Sequence, residues 1–274
     1  MNDRTPPKVV SVTPIYASPT LRIRFSEPVD AATVAASGHL SLDPAITVQS
    51  VALSADQTEA TLTLASPLAV GTPYKLAVKS ITDTSPAHNE LAPALVDVQV
   101  RGPVYSLATI VKEQMGAAIS DVPGLPVKAG DSWTLNCFVK AAAQPDNRTL
   151  IVGFGKAQDK ADGQARYFAK FAGGLRLWSR NRDVEGDAQL DLNAWQMLTA
   201  TYDGKVLTLY KNGKAIGHER VKLADDENVV NIAPIDPWEK KRSFVGELQG
   251  LTIWNQALTP EAIESLMHTT APKN

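Results

Sequence analysis

Trp195-Gln196-Met197-Leu198-Thr199-Ala200-Thr201-Tyr202-Asp203-Gly204-Lys205-Val206-Leu207-Thr208-Leu209-Tyr210-Lys211-Asn212-Gly213-Lys214-Ala215-Ile216-Gly217 is the stretch that decides the fold. Two short alternating runs are closed by Asp203-Gly204 and by Asn212-Gly213. Asp-Gly and Asn-Gly pairs tolerate positive φ at both central positions of a tight turn, so the stretch predicts three antiparallel strands in a meander. One face of a meander must be covered, which calls for a second sheet packed on the first. Architectures of that kind present ligands on faces or rims, and the reading is of a binding module.

The surrounding chain supplies the other strands. Alternation and turn residues predict strands at Trp133 to Lys140, Thr149 to Phe154, Arg166 to Phe171, Leu175 to Arg180, Lys214 to Val221 and Phe244 to Trp254. Only the end turns helical: Thr259 is a natural N-cap, Pro260 fits the first helical position, and Ala262, Ile263, Leu266 and Met267 offer an apolar stripe. Towards the N-terminus, short alternating runs recur at roughly ten-residue spacing, the pattern of an all-β sandwich. The strands predicted there are Val9 to Thr13, Leu21 to Phe25, Val48 to Leu53, Glu59 to Leu64, Tyr74 to Val78 and Leu95 to Val100, with a helical turn from Asp30 to Ala36. The fold class expected is all-β: an N-terminal sandwich over residues 1–102 and a larger one over 103–274. Arg101-Gly102-Pro103 between them is too short for a floppy tether.

With 274 residues and a hydrophobic fraction of 44%, the chain can fill two cores. Residues 1–102 carry seven Lys and Arg against nine Asp and Glu, and the rest twenty against twenty, so the net charge of −2 lies wholly in the first part. Neither part has the polybasic character of a nucleic-acid binder, and no apolar run approaches the length of a membrane span. Cys137, the only cysteine, excludes an intrachain disulfide and a cysteine-based zinc site. Alternation puts it on the face of Trp133, Leu135 and Val139, where an inert buried thiol is expected. Met1-Asn2-Asp3-Arg4 lacks the apolar region of a signal peptide, which fits a cytosolic protein or a piece of a larger one.

Two resemblances follow from motifs. Val9-Val10-Ser11-Val12-Thr13-Pro14, Ile23-Arg24-Phe25-Ser26-Glu27-Pro28-Val29-Asp30 and Pro67-Leu68-Ala69-Val70-Gly71-Thr72-Pro73-Tyr74 resemble the bacterial Ig-like domain of S-layer and other surface proteins. That resemblance implies a spacer. Ser132 to Lys140, Trp195 to Gly204, Leu209 to Gly213 and Phe244 to Leu258 resemble the laminin G-like jelly roll of the concanavalin A-like lectin and glucanase superfamily. Family members commonly carry two acidic residues where this chain has Gln249-Gly250, and that corner often helps to hold calcium. Without those hard anionic oxygens no metal site is carried over, and no cofactor is expected.

The glucanases of the superfamily use a Glu-x-Asp-x-x-Glu strand, whose alternation sets its carboxylates on one face. Glu185-Gly186-Asp187-Ala188-Gln189-Leu190 lacks the third carboxylate and has glycine in the strand, so no catalytic residue is assigned. A hydrolase built from Asp183, Glu185 and Asp187 would lack the apolar shelter a general acid needs. The hairpin Arg166 to Arg182 is the candidate site instead. With Gly173-Gly174 as its turn, Phe171 would face Arg176, Ala169 would face Trp178 and Tyr167 would face Arg180. Aromatic planes stack on sugar rings and guanidinium groups fork to hydroxyls or carboxylates, so Tyr167, Arg176, Trp178 and Arg180, with Trp238 on a rim loop, are the expected carbohydrate-binding residues. The competing reading makes Trp178 and Phe171 core residues with the arginines closing over them, and Trp238 a pin for its loop. The function expected is a non-catalytic, lectin-like module with an Ig-like spacer, in a larger secreted or surface bacterial protein. Its partners would be a glycan, acidic ones included, and an adjoining catalytic domain; the alternative is a pair of structural or protein-interaction domains beside an extracellular hydrolase.

Overall fold

The computed structural model describes residues 3–158 and 161–272. The chain divides into two compact units, Met1–Gly102 and Pro103–Asn274.

The first unit packs a four-stranded sheet against a three-stranded one. The former has the order β1 (Val9–Pro14), β2 (Thr20–Phe25), β5 (Glu59–Leu64), β4 (Val48–Leu53), and the latter the order β3 (Leu40–Asp43), β6 (Pro73–Val78), β7 (Ala94–Gln99). The alternation of β5, with Ala60, Leu62 and Leu64 buried, meets Leu21, Ile23, Leu76 and Val78 in one core. Helix α1 (Ala31–Ala35) begins at Asp30, whose carboxylate accepts from the N–H groups of Ala32 and Thr33. Strand β3 was not anticipated: four residues between a turn and Pro44 carry too little alternation to stand out.

The second unit is a sandwich of two six-stranded sheets. One runs β17 (Lys214–Arg220), β16 (Val206–Lys211), β15 (Gln196–Tyr202), β10 (Trp133–Ala141), β19 (Gly246–Trp254), β8 (Tyr105–Thr109). The other runs β14 (Val184–Glu185), β13 (Gly174–Trp178), β12 (Arg166–Phe171), β11 (Thr149–Phe154), β18 (Val229–Ile232), β9 (Ala118–Ser120). The predicted meander is thus β15, β16 and β17, half of one sheet. Its second turn has Asn212 and Gly213 both at positive φ, 49° and 76°. The first turn differs: only Gly204 is left-handed, at 93°, while the Asp203 carboxylate accepts from the Lys205 and Val206 N–H groups. An aspartate side chain closes that loop where a second left-handed residue was expected.

Trp133, Leu135, Cys137 and Val139 point from β10 into the core, and Cys137 is fully buried. Burial pushes its thiol pKa up to about 12, so it stays protonated and inert. Gly250 sits where the register of β10 and β19 shifts, at φ 61°. An added Cβ there would crowd Phe138, so glycine answers the bulge. Helix α2 (Pro260–Thr270) is capped by Thr259, and Thr134 Oγ1 both donates to the Gln256 carbonyl and accepts from the Leu258 N–H, tying the approach to the helix onto β10. No described helix is long and apolar enough to cross a membrane.

Candidate functional site

The hairpin of β12 and β13 turns one residue earlier than expected. Phe171 pairs with Gly174, Ala169 with Arg176 and Tyr167 with Trp178, so the two turn residues are Ala172 and Gly173. This moves each pairing by two residues, and an even shift leaves every side chain on its expected face. Phe168, Leu175 and Leu177 enter the sandwich core, while Tyr167, Ala169, Arg176 and Trp178 lie on the outer face of the sheet.

That outer face is covered. Trp178 is 3% exposed and Tyr167 is fully buried, in a second apolar cluster with Leu150 and Ala169. The cover is the loop around Trp238, whose ring lies 5.0 Å from Trp178 and 5.8 Å from Phe171, edge-on to both. Asp236 holds the loop in shape: its carboxylate, wholly buried, accepts from the N–H groups of Trp238, Glu239, Lys241 and Arg242. Burial alone would raise its pKa. The N–H donors of Glu239, Arg242 and Lys241 and the Arg242 guanidinium overcome that and hold it well below the usual carboxylate range. Tyr167 donates its hydroxyl to the Gly155 carbonyl and accepts from Asn231 Nδ2 at 2.7 Å. Gly153 beneath it has no room for a Cβ, which would meet the Tyr167 ring and backbone. Tyr167 and Trp178 are therefore structural, and their expected role as an open stacking surface is corrected. The half-buried Trp238 pins its loop and carries Arg148 over its ring at 5.6 Å.

The two arginines of the hairpin have carboxylate partners. Arg180 lies 3.6 Å from Asp162. Arg176 stacks over the Phe171 ring at 4.5 Å and pairs with Asp183 at 3.0 Å and with Glu185. Of the five expected site residues, Arg176 alone lines the open groove where a ligand could enter. This groove, about 820 Å³, lies between β14 and β17, the neighbouring edges of the two sheets.

Local backbone geometry makes the groove. The register of β16 and β17 passes from Leu209 opposite Gly217 to Tyr210 opposite Ala215, leaving Ile216 as the extra residue of a bulge. The Ile216 carbonyl accepts the Asp187 N–H at 2.9 Å and so stitches one sheet edge to the other. Gly186 and Gly217 permit the approach: a Cβ on Gly217 would stand 2.2 Å from the Glu185 carbonyl oxygen. Below the stitch the edges part. Arg182, Asp183 and Glu185 then line one wall, and Glu219, Arg220 and Lys222 the other.

Asp183 is the most sheltered carboxylate of the groove, with its side chain 16% exposed. Burial raises its pKa, against the Ser179 N–H and the Arg176 guanidinium. It therefore has more shelter than its sequence neighbourhood suggested. Glu219, Arg220 and Lys222 were missed because an alternating charged run at the end of a predicted strand reads as a solvated edge. Their only sequence signal was the charge itself.

Residues 115–264 match the description "Concanavalin A-like lectin/glucanases superfamily". The chain belongs to that superfamily. Residues 3–99 match a bacterial Ig-like domain, in front of the concanavalin A-like unit. No curated protein matches the sequence. Among solved structures, the family-40 carbohydrate-binding module of the IT-sialidase of Ruminococcus gnavus, bound to α2,3-sialyllactose, is 16% identical; the match covers 61% of this chain and 99% of that one, with a TM-score of 0.48. A native heptameric SAP-like pentraxin from Limulus polyphemus is 16% identical over 62% of this chain and 83% of that one, at a TM-score of 0.41. Domain 4 of the extracellular arabinanase AbnA of Geobacillus stearothermophilus, in complex with arabinotriose, is 16% identical over 52% and 68%, at 0.37.

Proposed function

We propose that the concanavalin A-like unit is a non-catalytic carbohydrate-binding module and that the groove between β14 and β17 is its ligand site, with the Ig-like unit as a spacer in a larger secreted or surface polypeptide. The observation that carries this reading is the groove itself: an open cleft lined by guanidinium, carboxylate, ammonium and amide groups, which are the partners sugar hydroxyls require. Family membership supports it as analogy, since one fold serves many activities.

The carboxylates argue for binding over turnover. Asp183 and Glu185 both pair with Arg176, so both carboxylates are engaged by a side chain of the protein itself. A general acid must offer its proton to the leaving group, and Asp183, although burial raises its pKa, is turned to the Arg176 guanidinium and the Ser179 N–H. The test is a glycan array and affinity gels run with the whole chain, neutral and acidic polysaccharides side by side. Saturable binding with no release of reducing ends is expected. Hydrolysis that disappears in Glu185→Gln would replace this reading with that of a hydrolase.

A further inference from the structure

The groove has two classes of charged group. Arg176 pairs with both Asp183 and Glu185, a triad with one negative charge left over, and Arg176 and Asp183 are largely buried. Arg182, Arg220 and Lys222 are exposed, line the same groove, and form no ion pair or side-chain hydrogen bond among the described residues. The one carboxylate of the groove without an ion pair among the described residues is Glu219. Three free cations thus face one free anion, from both walls. Taken as a whole, four basic and three acidic side chains would suggest a nearly neutral cleft. Sorting them by partner separates an ion-paired base, with one negative charge to spare, from a basic mouth.

From this we infer that the groove binds a glycan bearing anionic groups, held by Arg182, Arg220 and Lys222. The inference rests on the module reading above and deepens it. Guanidinium groups present forked N–H donors that match the oxygens of a carboxylate or a sulfate, while Lys222 adds a mobile point charge. Arg176 cannot serve in the same way, because its donors face Asp183 and Glu185. It fixes the β13 and β14 wall from which Arg182 projects, so it is a positioning residue. Glu219 is left as an acceptor for a hydroxyl.

The test compares polygalacturonate and hyaluronan, which are carboxylated, with dextran sulfate and with the neutral methyl ester of polygalacturonate and dextran, all against the whole chain. Anionic glycans are expected to bind at least about tenfold tighter than neutral ones at low salt, with the advantage shrinking as ionic strength rises. Arg182→Gln with Arg220→Gln should remove that advantage while leaving thermal melting unchanged, since both side chains are exposed. Lys214→Gln with Lys240→Gln, exposed cations outside the groove, should leave binding as it is. The carboxylated and sulfated arms tell which anion the groove prefers. Equal binding of the methyl ester, or unchanged binding in the arginine pair, would overturn the anionic reading and leave the module standing. Binding of no glycan, neutral or charged, would overturn the module and this inference with it.

Discussion

Trp178 sits between two rings, Tyr167 at 6.2 Å and Trp238 at 5.0 Å, and the loss of its side chain would leave a cavity under the Trp238 loop. Trp178→Ala should cost about 3–5 kcal/mol of folding stability, a fall in melting temperature on the order of 10 °C for a unit of this size. An unchanged melting temperature would mean that the aromatic cluster is not packed as described. Asp236 lends itself to a pH experiment. Its folded-state pKa is depressed, so its contribution is fully present above its unfolded pKa of about 4 and is lost as the pH falls towards the folded value. Acid titration of the wild type should therefore show stability draining away below about pH 4. Asp236→Asn should be less stable at neutral pH by about 2–4 kcal/mol and should show a shallower acid dependence. A variant with the same acid slope as the wild type would contradict the role given to this carboxylate. The residue types of the cluster were legible in the sequence, and their common face survived the misplaced turn. Their burial was one of two open readings, because what decides it is a loop more than fifty residues away whose shape depends on four backbone donors converging on Asp236.

At the scale of elements, the strands with clear alternation and turn chemistry were readable, and β3, β8, β9, β14 and β18 were not. These five have two to five residues each, too few for a period to emerge, and they pair only because longer neighbours hold them. The groove depends on one of them. The two-residue β14 meets β17 through the Asp187 to Ile216 hydrogen bond, over a contact in which Gly217 has no space for a side chain. Gly217→Ala must part the two edges, because the atom in its way is a backbone carbonyl that cannot swing aside. The expected outcome is a loss of about 2 kcal/mol or more in stability together with weakened ligand binding. Alanine at the exposed Gly173, where an added Cβ meets only the Glu185 side chain at 3.9 Å, should be close to neutral in the same assays. If both substitutions behave alike, the stitch between the sheets does not shape the groove.

For the whole molecule, two sandwiches were legible because alternation, Asp-Gly and Asn-Gly turns and domain-length motifs all pointed to one architecture. The site was only half legible. Arg176 was visible as a charged residue in an aromatic hairpin, whereas Arg182, Glu219, Arg220 and Lys222 come together because a bulge and two glycines bring the edges of different sheets side by side. On the proposed function this cleft holds a glycan and leaves it intact. Calorimetric titration of the whole chain with the best array ligand, with the glycan recovered and sized afterwards, tests it most directly. A saturable isotherm is expected, weakened when Arg182 and Arg220 are replaced by glutamine, together with a glycan of unchanged length. No saturable heat with any glycan up to millimolar concentration, or a shortened glycan that Glu185→Gln protects, would contradict it.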